Sequence, residues 1–248
     1  MSVWKREEKI FEGLPSERQA NIEIVSSAYA SMFAEKAYLT MPVTTGKRYY
    51  DTLDRYGVKT IDELERKRPG ALHGEIIEPN IEEGKALASL IQKDNNLAIV
   101  VPGVFEARRQ KWSQEEYMVL WLRLITSSVL ALYLSDGWEY SNGGAMEYIR
   151  ALAIADSPFL GRFERPPGFA IYDHRKNRIT EVEAAQKLAG AAIDLDRRGY
   201  NTSILRDELA LLGGISCEMG DRSYPITLKI LDLCDSVGVA PSFDFNKV

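Results

Sequence analysis

Residues 128–148 read SVLALYLSDGWEYSNGGAMEY, and this stretch decides the fold. Its apolar run over 129–134 is continuous, which is typical of a strand buried on both faces of a parallel sheet. A polar turn with two adjacent glycines, Gly143 and Gly144, follows, and the pattern after it predicts a helix with Glu147 in its first turn. The stretch therefore predicts a strand, turn and helix unit. Its turn should lie at the carboxyl edge of the sheet, where open α/β sheets bind their ligands.

Further strands are predicted on both sides of this unit. Residues 37–41 form a short apolar run that Pro42 ends, and residues 96–102 (NLAIVVP) are rich in aliphatic residues. Residues 74–79 (GEIIEP) and 169–173 (FAIYD) are shorter candidates. Because helical patterns alternate with these runs, the sheet is predicted to be parallel and covered on both faces.

Helices are predicted where apolar residues recur at helical spacing: over 16–33, 81–93, 117–125, 180–198, 204–212 and 226–237, with another ending near Gly57. Several have a capping-box pattern, in which a capping residue precedes a Glu by three positions. These patterns are Thr60 with Glu63, Asn80 with Glu83 and Ser113 with Glu116. They predict helices that start just after residues 60, 80 and 113.

The overall prediction is an α/β fold, a Rossmann-like parallel sheet flanked by helices, with an N-terminal helix and a C-terminal helical extension. It divides the chain into an N-terminal helical segment at 1–36, an α/β domain at 37–172 and the extension at 173–248. Residues 165–168 (RPPG) are the candidate junction. Helices beyond residue 180 are rich in Ala and Leu on one face, which indicates packing against the core domain.

The composition narrows the function classes. A net charge of -5 argues against a surface built for nucleic acid, because such surfaces are basic. Two cysteines and two histidines are too few for a zinc site or a disulfide framework, so no metal or other cofactor and a reducing, cytoplasmic setting are expected. No apolar run reaches the roughly 20 residues of a membrane helix, and the first residues lack the apolar core of a signal peptide. A soluble protein without membrane association is expected.

The glycine turn and the glutamate after it suggest chemistry. Gly143 and Gly144 let the backbone approach a ligand closely, and the start of a helix favours the ionised form of Glu147. An ionised carboxylate in a pocket is a usable nucleophile. On spacing alone, the commoner explanation of Glu147 is a first-turn acid that only stabilises its own helix.

Two segments together resemble the nucleoside 2-deoxyribosyltransferase-like superfamily. Residues 38–46 (YLTMPVTTG) resemble its Tyr-Leu-Ala-Gly-Pro strand and turn, and residues 133–148 resemble its Pro-Gly-Trp-x-x-Ser-x-Gly segment that ends in glutamate. The similarity is closest over residues 96–153. In that superfamily the glutamate matched by Glu147 attacks the anomeric carbon of a nucleoside or nucleotide, releases the base and forms a glycosyl ester. The resemblance thus implies an N-glycosidase or deoxyribosyltransferase whose partner is a small-molecule nucleotide or nucleoside.

The resemblance also assigns roles to individual residues. Tyr38 resembles the tyrosine that orients the nucleophile, although a core aromatic is an equal alternative. The implied substrate-binding residues are Pro42, Thr44, Thr45, Gly46 and Lys47 in the first segment, and Trp138, Ser141, Asn142, Gly143 and Gly144 in the second. Lys47 and Arg48 would favour a nucleotide over a nucleoside, and Trp138 would stack on the base. Arg108, Arg109 and Trp112 would border the opening of the same substrate pocket.

The chain departs from the family at its acidic partners. Many members carry an aspartate in the helix before the motif strand and another just before that strand, where this chain has Trp121 and Ser128. Asp136 is then the candidate general acid, with Glu115 and Glu116 as alternatives. If no acid replaces them, the alternatives are a non-catalytic nucleotide sensor or assembly protein, or an enzyme that cleaves NAD. Members often complete their pockets with a neighbouring subunit, which implies a homodimer or larger homo-oligomer.

Overall fold

The computed structural model describes residues 3–32, 36–94, 97–106, 112–156, 169–218 and 224–240. Its helices are α1 (Val3–Gly13), α2 (Ser16–Met32), α3 (Lys47–Tyr56), α4 (Ile61–Lys67), α5 (Glu78–Asp94), α6 (Pro102–Glu106), α7 (Gln114–Ser128), α8 (Asn142–Asp156), α9 (Glu181–Arg197), α10 (Ser203–Glu218) and α11 (Tyr224–Ser236). Its strands are β1 (Lys36–Thr40), β2 (Ala98–Val100), β3 (Ala131–Leu134) and β4 (Ala170–Tyr172), and two short helical stretches are a π-helix, Leu72–Ile77, and a 3₁₀ turn, Trp138–Tyr140. Within these ranges no helix combines the length and the apolar character needed to cross a bilayer.

The described strands form one parallel sheet in the order β2-β1-β3-β4. Tyr38 in β1 lies opposite Val100 of β2 and Leu132 of β3, so β1 is an interior strand. The chain runs from β1 outward to β2 and then crosses back to β3 on the other side of β1. This reversal makes the carboxyl ends of β1 and β3 the topological switch point, where ligands of open α/β sheets bind.

Successive residues of the strands pack into two different hydrophobic cores, one on each face of the sheet, because side chains alternate between the faces of a strand. Tyr38 and Leu132 point to one face and join a large cluster with residues of α2, α7, α8, α9, α10 and α11. Leu39 and Tyr133 point to the other face and pack with Ile91 of α5. The sheet is therefore flanked by helices, and the predicted α/β architecture is confirmed at this level.

Most predicted elements are present. The runs predicted at 96–102, 128–134 and 169–173 contain β2, β3 and β4, and the run predicted at 37–41 is offset by one residue from β1. Ser113 and Glu116 form the complete capping box at α7, and the Thr60 side chain accepts from the Glu63 N–H at 3.2 Å before α4. The helices predicted beyond residue 180 correspond to α9, α10 and α11, and α10 extends six residues past the predicted end at residue 212 to Glu218.

Two predictions in residues 74–83 are wrong. The predicted strand GEIIEP is helical, since it comprises the end of the π-helix and the first residues of α5. Ile76 is buried there against Leu53 and Leu64 instead of pairing in a sheet. Asn80 is not a cap but lies inside α5, where its side chain donates to the Val43 carbonyl at 3.0 Å.

The predicted segments share one core. Ile22 from the N-terminal segment, Tyr38 from the sheet and Leu188 from the C-terminal extension belong to the same buried cluster. Arg198, at the end of α9, ties the extension to α3 by ion pairs with Asp51 at 3.0 Å and with a second aspartate of α3. The domain boundaries stay a prediction, and the candidate junction at 165–168 lies outside the described residues.

Candidate functional site

Two loops meet one helix at the switch point. Residues 41–46 leave β1, and residues 135–141 lead from β3 through the 3₁₀ turn into α8. The Ser135 N–H donates to the Thr40 carbonyl at 2.9 Å, so the chain leaves both strands side by side. The two sequence segments that carry the family resemblance are therefore neighbours at the carboxyl edge of the sheet.

A tyrosine and a glutamate connect the sheet to α8. The Tyr38 hydroxyl donates to Oε1 of Glu147 at 2.6 Å, and both side chains are buried, with Glu147 only 5% exposed. A bond this short is typical of a hydroxyl that donates to a carboxylate. Tyr38 is held by the interior strand and by its ring contact with Trp121, so the bond fixes the position of Oε1. The contact that the resemblance implies between these two residues is present.

A pair of hydroxyls joins the two loops beside this contact. Thr45 Oγ1 and Ser141 Oγ are 3.0 Å apart, and either one donates. Ser141 also accepts from the Gly144 N–H at 3.3 Å, as an N-cap residue does, while its carbonyl accepts from the Ala145 N–H. The turn after β1 is thereby linked to the start of α8.

The start of α8 corrects one prediction. Because Ser141 caps the helix, α8 begins at Asn142, and both glycines lie in its first turn instead of forming a corner before it. Glu147 consequently lies in the second turn. The stabilising effect of a helix N-terminus on a carboxylate fades beyond the first turn, so burial and the Tyr38 hydroxyl determine the environment of Glu147.

The two glycines have different packing roles. A Cβ on Gly144 would lie 2.6 Å from the Trp138 carbonyl oxygen, which belongs to the backbone and cannot turn away. A Cβ on Gly143 would lie 3.0 Å from the terminal methyl of Met118, a flexible side chain. Gly144 is therefore needed for close packing of the 3₁₀ turn on α8, whereas Gly143 is not.

We expect Gly144→Ala to lower the free energy of unfolding by about 1–3 kcal/mol, the usual cost of forcing extra volume into a packed site. Gly143→Ala is the matched control and should stay within about 0.5 kcal/mol of wild type, since the lower backbone entropy of Ala offsets a small Met118 adjustment. Urea denaturation of the three proteins measures both effects. Equal losses in the two variants would show that the close approach of the Trp138 carbonyl oxygen does not determine the cost of substituting Gly144.

Gly46 shapes the other loop. Its φ of 99° lies in the region that favours glycine, and a Cβ there would lie 2.5 Å from the Cβ of Pro42. The next residue, Lys47, begins α3 and pairs with Asp51 at 2.9 Å, with half of its side chain exposed. Arg48 is instead bound to Asn80 and Glu83 of α5. Lys47 is thus the better placed of the two predicted cations to meet a ligand.

Two buried hydroxyls lie at the switch point without partners. Thr40 Oγ1 at the end of β1 and Ser135 Oγ after β3 are inaccessible and make no hydrogen bond within the described residues. A buried hydroxyl left unpaired costs roughly 1–3 kcal/mol, so native proteins keep few of them and often for a function. Their position at the ends of β1 and β3 supports a functional role for this edge of the sheet.

Other predicted site residues lie elsewhere. Asp136 is 82% exposed, and its Oδ1 lies 3.9 Å from Nδ1 of His174. Trp138 is 2% exposed with its ring 4.9 Å from that of Tyr148, so it packs in the core and has no face open for stacking on a base. Pro42, Thr44 and Asn142 are partly exposed around the switch point. Arg108 and Arg109 lie outside the described residues, and Trp112 is buried against Phe105 and Tyr117.

Sequence reasoning missed one buried acid next to the site. Glu139, in the 3₁₀ turn, is 9% exposed, and its Oε2 has no hydrogen-bond partner within the described residues. Lys187 of α9 places Nζ 3.8 Å from Oε1. Burial raises the pKa of the Glu139 carboxyl above its ordinary value, and Lys187 acts in the opposite direction. The only sequence signal is a charged residue between two aromatic ones, Trp138 and Tyr140.

The shift at Glu139 predicts a pH dependence of stability. A carboxyl with a raised folded-state pKa contributes stability that is complete below its unfolded pKa of about 4.3 and is lost as the pH rises through the folded value. We expect Glu139→Gln to remove this contribution, so that wild type loses more stability than the variant between about pH 4 and pH 8. Urea denaturation at both pH values measures the difference. An identical loss in both proteins would contradict the raised pKa.

Comparisons of the chain with family models, curated proteins and solved structures find no match. The resemblance therefore stands on residues 38–46 and 133–148 themselves. The structure adds that these segments touch through Tyr38 and Glu147 and through Thr45 and Ser141. Within the described residues, no three His, Cys, Asp or Glu side chains are grouped so as to hold a metal ion.

Proposed function

We propose that the protein cleaves the N-glycosidic bond of a nucleotide or nucleoside through a covalent glycosyl ester on Glu147. The observation that carries the proposal is the 2.6 Å hydrogen bond from Tyr38 to a buried Glu147 at the switch point of a parallel sheet. The bond matches the orienting role that the nucleoside 2-deoxyribosyltransferase-like superfamily gives to the corresponding tyrosine. On the same resemblance, we propose that the sheet and its helices form a Rossmann-like domain.

The chemistry needs a carboxylate held in one position. In retaining cleavage, one carboxylate oxygen attacks the anomeric carbon on the face opposite the leaving base, while positive charge develops on the sugar. Tyr38 holds Oε1 in place, and the burial of Glu147 keeps competing water away. Water or a second base then attacks the same carbon and releases Glu147, which gives hydrolysis or transfer.

Features of the loop after β1 favour a nucleotide. Thr44, Thr45 and the N–H groups at the start of α3 lie at the carboxyl edge of the sheet, and backbone N–H groups with hydroxyls suit a phosphate. Lys47 adds one cation there. We therefore expect 5′-monophosphates to be better substrates than the corresponding nucleosides.

The test incubates wild-type protein with ribo- and deoxyribonucleotides, the matching nucleosides and NAD, and follows free base by chromatography. Release from nucleotides, faster than from nucleosides, is the expected result. Release of nicotinamide alone would assign the protein to NAD cleavage instead. No release from any compound would overturn the proposed activity.

A non-catalytic nucleotide sensor is the second candidate, and one observation favours it. The positions where many family members carry aspartates hold Trp121, which is packed among aromatic rings, and Ser128, which donates to the Leu124 carbonyl. Neither residue is an acid. Nucleotide-dependent thermal stabilisation without base release would support the sensor.

A further inference from the structure

The loops after β3 and β4 bring a second set of ionisable residues together. Asp136 and Glu139 follow β3, His174 follows β4, and Lys187 lies on α9. Lys187 lies 3.8 Å from Glu139, and Asp136 lies 3.9 Å from His174. Lys187, Asp136 and His174 each act electrostatically on Glu139, whose side chain is the buried member of the set.

The environment of Glu139 suits a proton donor. Its Oε2 is inaccessible and has no partner in the described part of the chain, so a proton on that oxygen is not already committed to the protein. Desolvation favours the neutral acid, with Asp136 acting in the same direction and Lys187 and His174 opposing it. A carboxylic acid kept neutral near the working pH is the usual general acid of glycosidic cleavage.

The other candidate acids are less suitable. Asp136 is 82% exposed, and Glu115 lies on the exposed side of α7. Glu116 is buried, but its carboxylate accepts from the Ser113 N–H in the capping box and pairs with Arg18 at 3.1 Å. Among the acids of residues 112–139, Glu139 alone combines burial with an oxygen that has no partner.

Glu139 lies near the nucleophile but not beside it. The 3₁₀ turn that carries Glu139 packs on α8, since the Trp138 ring contacts Tyr148, the residue after Glu147. Glu147 bonds to β1, whereas His174, which follows β4, acts electrostatically on Glu139. β3 lies between β1 and β4, so these two strands are two strand spacings apart, roughly 10 Å. Enzymes that protonate a glycosidic oxygen keep their carboxyls about 5–5.5 Å apart when they retain configuration. An acid that protonates a ring nitrogen of a base acts beyond the anomeric carbon, so it does not need to lie beside the nucleophile.

We propose that Glu139 is the general acid that protonates the departing base, an inference that rests on the proposed function. As a Glu147 oxygen bonds to C1′, the C1′–N bond breaks and its electron pair goes to the base. The Glu139 proton moves to a base nitrogen, so the base leaves neutral and Glu139 becomes a carboxylate facing Lys187. That carboxylate then accepts a proton from the water that attacks C1′ and releases Glu147, which restores both residues.

The test compares bases that do and do not need a proton to leave. Wild type, Glu139→Gln and the control Glu12→Gln are assayed with a purine nucleotide and with its N7-methyl form, whose cationic base departs neutral without protonation. If only pyrimidine nucleotides react, a 5-fluoro analogue replaces the methylated one. We expect Glu139→Gln to lose about 100-fold or more on the ordinary base, as the loss of a general acid does, and only a few fold on the activated base. Glu12→Gln makes the same change at an exposed glutamate of α1 and should match wild type on both bases.

Three results distinguish the possible failures. A Glu139→Gln variant that retains wild-type rates, or that loses rate equally on both bases, overturns the acid role while leaving the proposed function intact. Wild type that releases no base from either compound overturns the proposed function and the acid role with it. Independently of turnover, infrared titration should show one protonated carboxyl fewer above the ordinary glutamate range in Glu139→Gln than in wild type, because Glu7, whose pKa burial also raises, contributes equally to both proteins. Identical titrations would also overturn the proposal.

Discussion

Replacing Glu147 with glutamine is expected to lower base release by at least about 10³-fold, because an amide lacks the nucleophilic oxygen that forms the glycosyl ester. Glutamine keeps a carbonyl oxygen that accepts from the Tyr38 hydroxyl, so the buried contact and the fold should persist. The measurement is chromatographic base release under single-turnover conditions, beside a urea denaturation curve. Loss of activity with unchanged stability is the expected combination.

Tyr38→Phe should have a smaller effect than Glu147→Gln. It deletes one hydrogen bond to a charged group, worth about 1.5–3 kcal/mol, which corresponds to a loss of about 10- to 100-fold in the rate of cleavage. Glu147 itself remains, so the loss should appear in kcat more than in KM. In quenched wild-type reactions, mass spectrometry should also show the peptide that contains Glu147 with the added mass of a sugar phosphate. Undiminished base release by Glu147→Gln would remove Glu147 as the nucleophile.

The elements predicted correctly from sequence are those with local signals. Continuous apolar runs predict β1 and β3 because a strand buried on both faces needs apolar side chains on both. The Ser113 and Glu116 pair predicts the start of α7 because the two residues satisfy each other's backbone groups. Such signals depend on residues at most a few positions apart, so the sequence displays them directly.

The wrong predictions involve contacts between distant residues. Asn80 has the form of a cap, but its amide bridges the Val43 carbonyl and the Arg48 guanidinium, more than 30 positions away. The GEIIEP segment has the composition of a strand, yet Ile76 finds its apolar partners on α3 and α4. Local pattern carries no record of either partner, and tertiary packing overrides it.

The site residues likewise depend on contacts between distant parts of the chain. The bond from Tyr38 to Glu147 spans 109 positions, and only the resemblance to a known family implied it. Spacing did not indicate Glu139, because its burial depends on α9, which follows about 40 residues later. The predicted start of α8 is wrong because Ser141 caps the helix before the two glycines. This start is possible because Gly144 packs closely on Trp138.

Arg150 anchors α8 one turn beyond Glu147 in a setting that sequence alone did not reveal. Its side chain is fully buried and pairs with Glu7 of α1, which also pairs with Arg123 at 3.3 Å. A second buried acid, Glu208 of α10, acts on the same guanidinium. Burial lowers the pKa of Arg150 to about 10, so the group stays charged at neutral pH and needs these acids. It holds α1, α8 and α10 together by charge.

We expect Arg150→Met to lower the free energy of unfolding by about 3–5 kcal/mol at neutral pH, because it removes the buried cation that acts on both Glu7 and Glu208, while Arg123 still pairs with Glu7. The loss should shrink as the pH falls, since burial already raises the pKa of Glu7 and removal of the cation raises it further, so that protonation relieves the uncompensated charge. Adding Glu7→Gln to Arg150→Met should recover part of the stability, whereas the same change in wild type should cost stability. Urea denaturation of the four proteins at two pH values completes the cycle. Additive losses that do not change with pH would mean that solvent, and not Arg150, compensates these carboxylates, and that α8 holds Glu147 in place without this anchor.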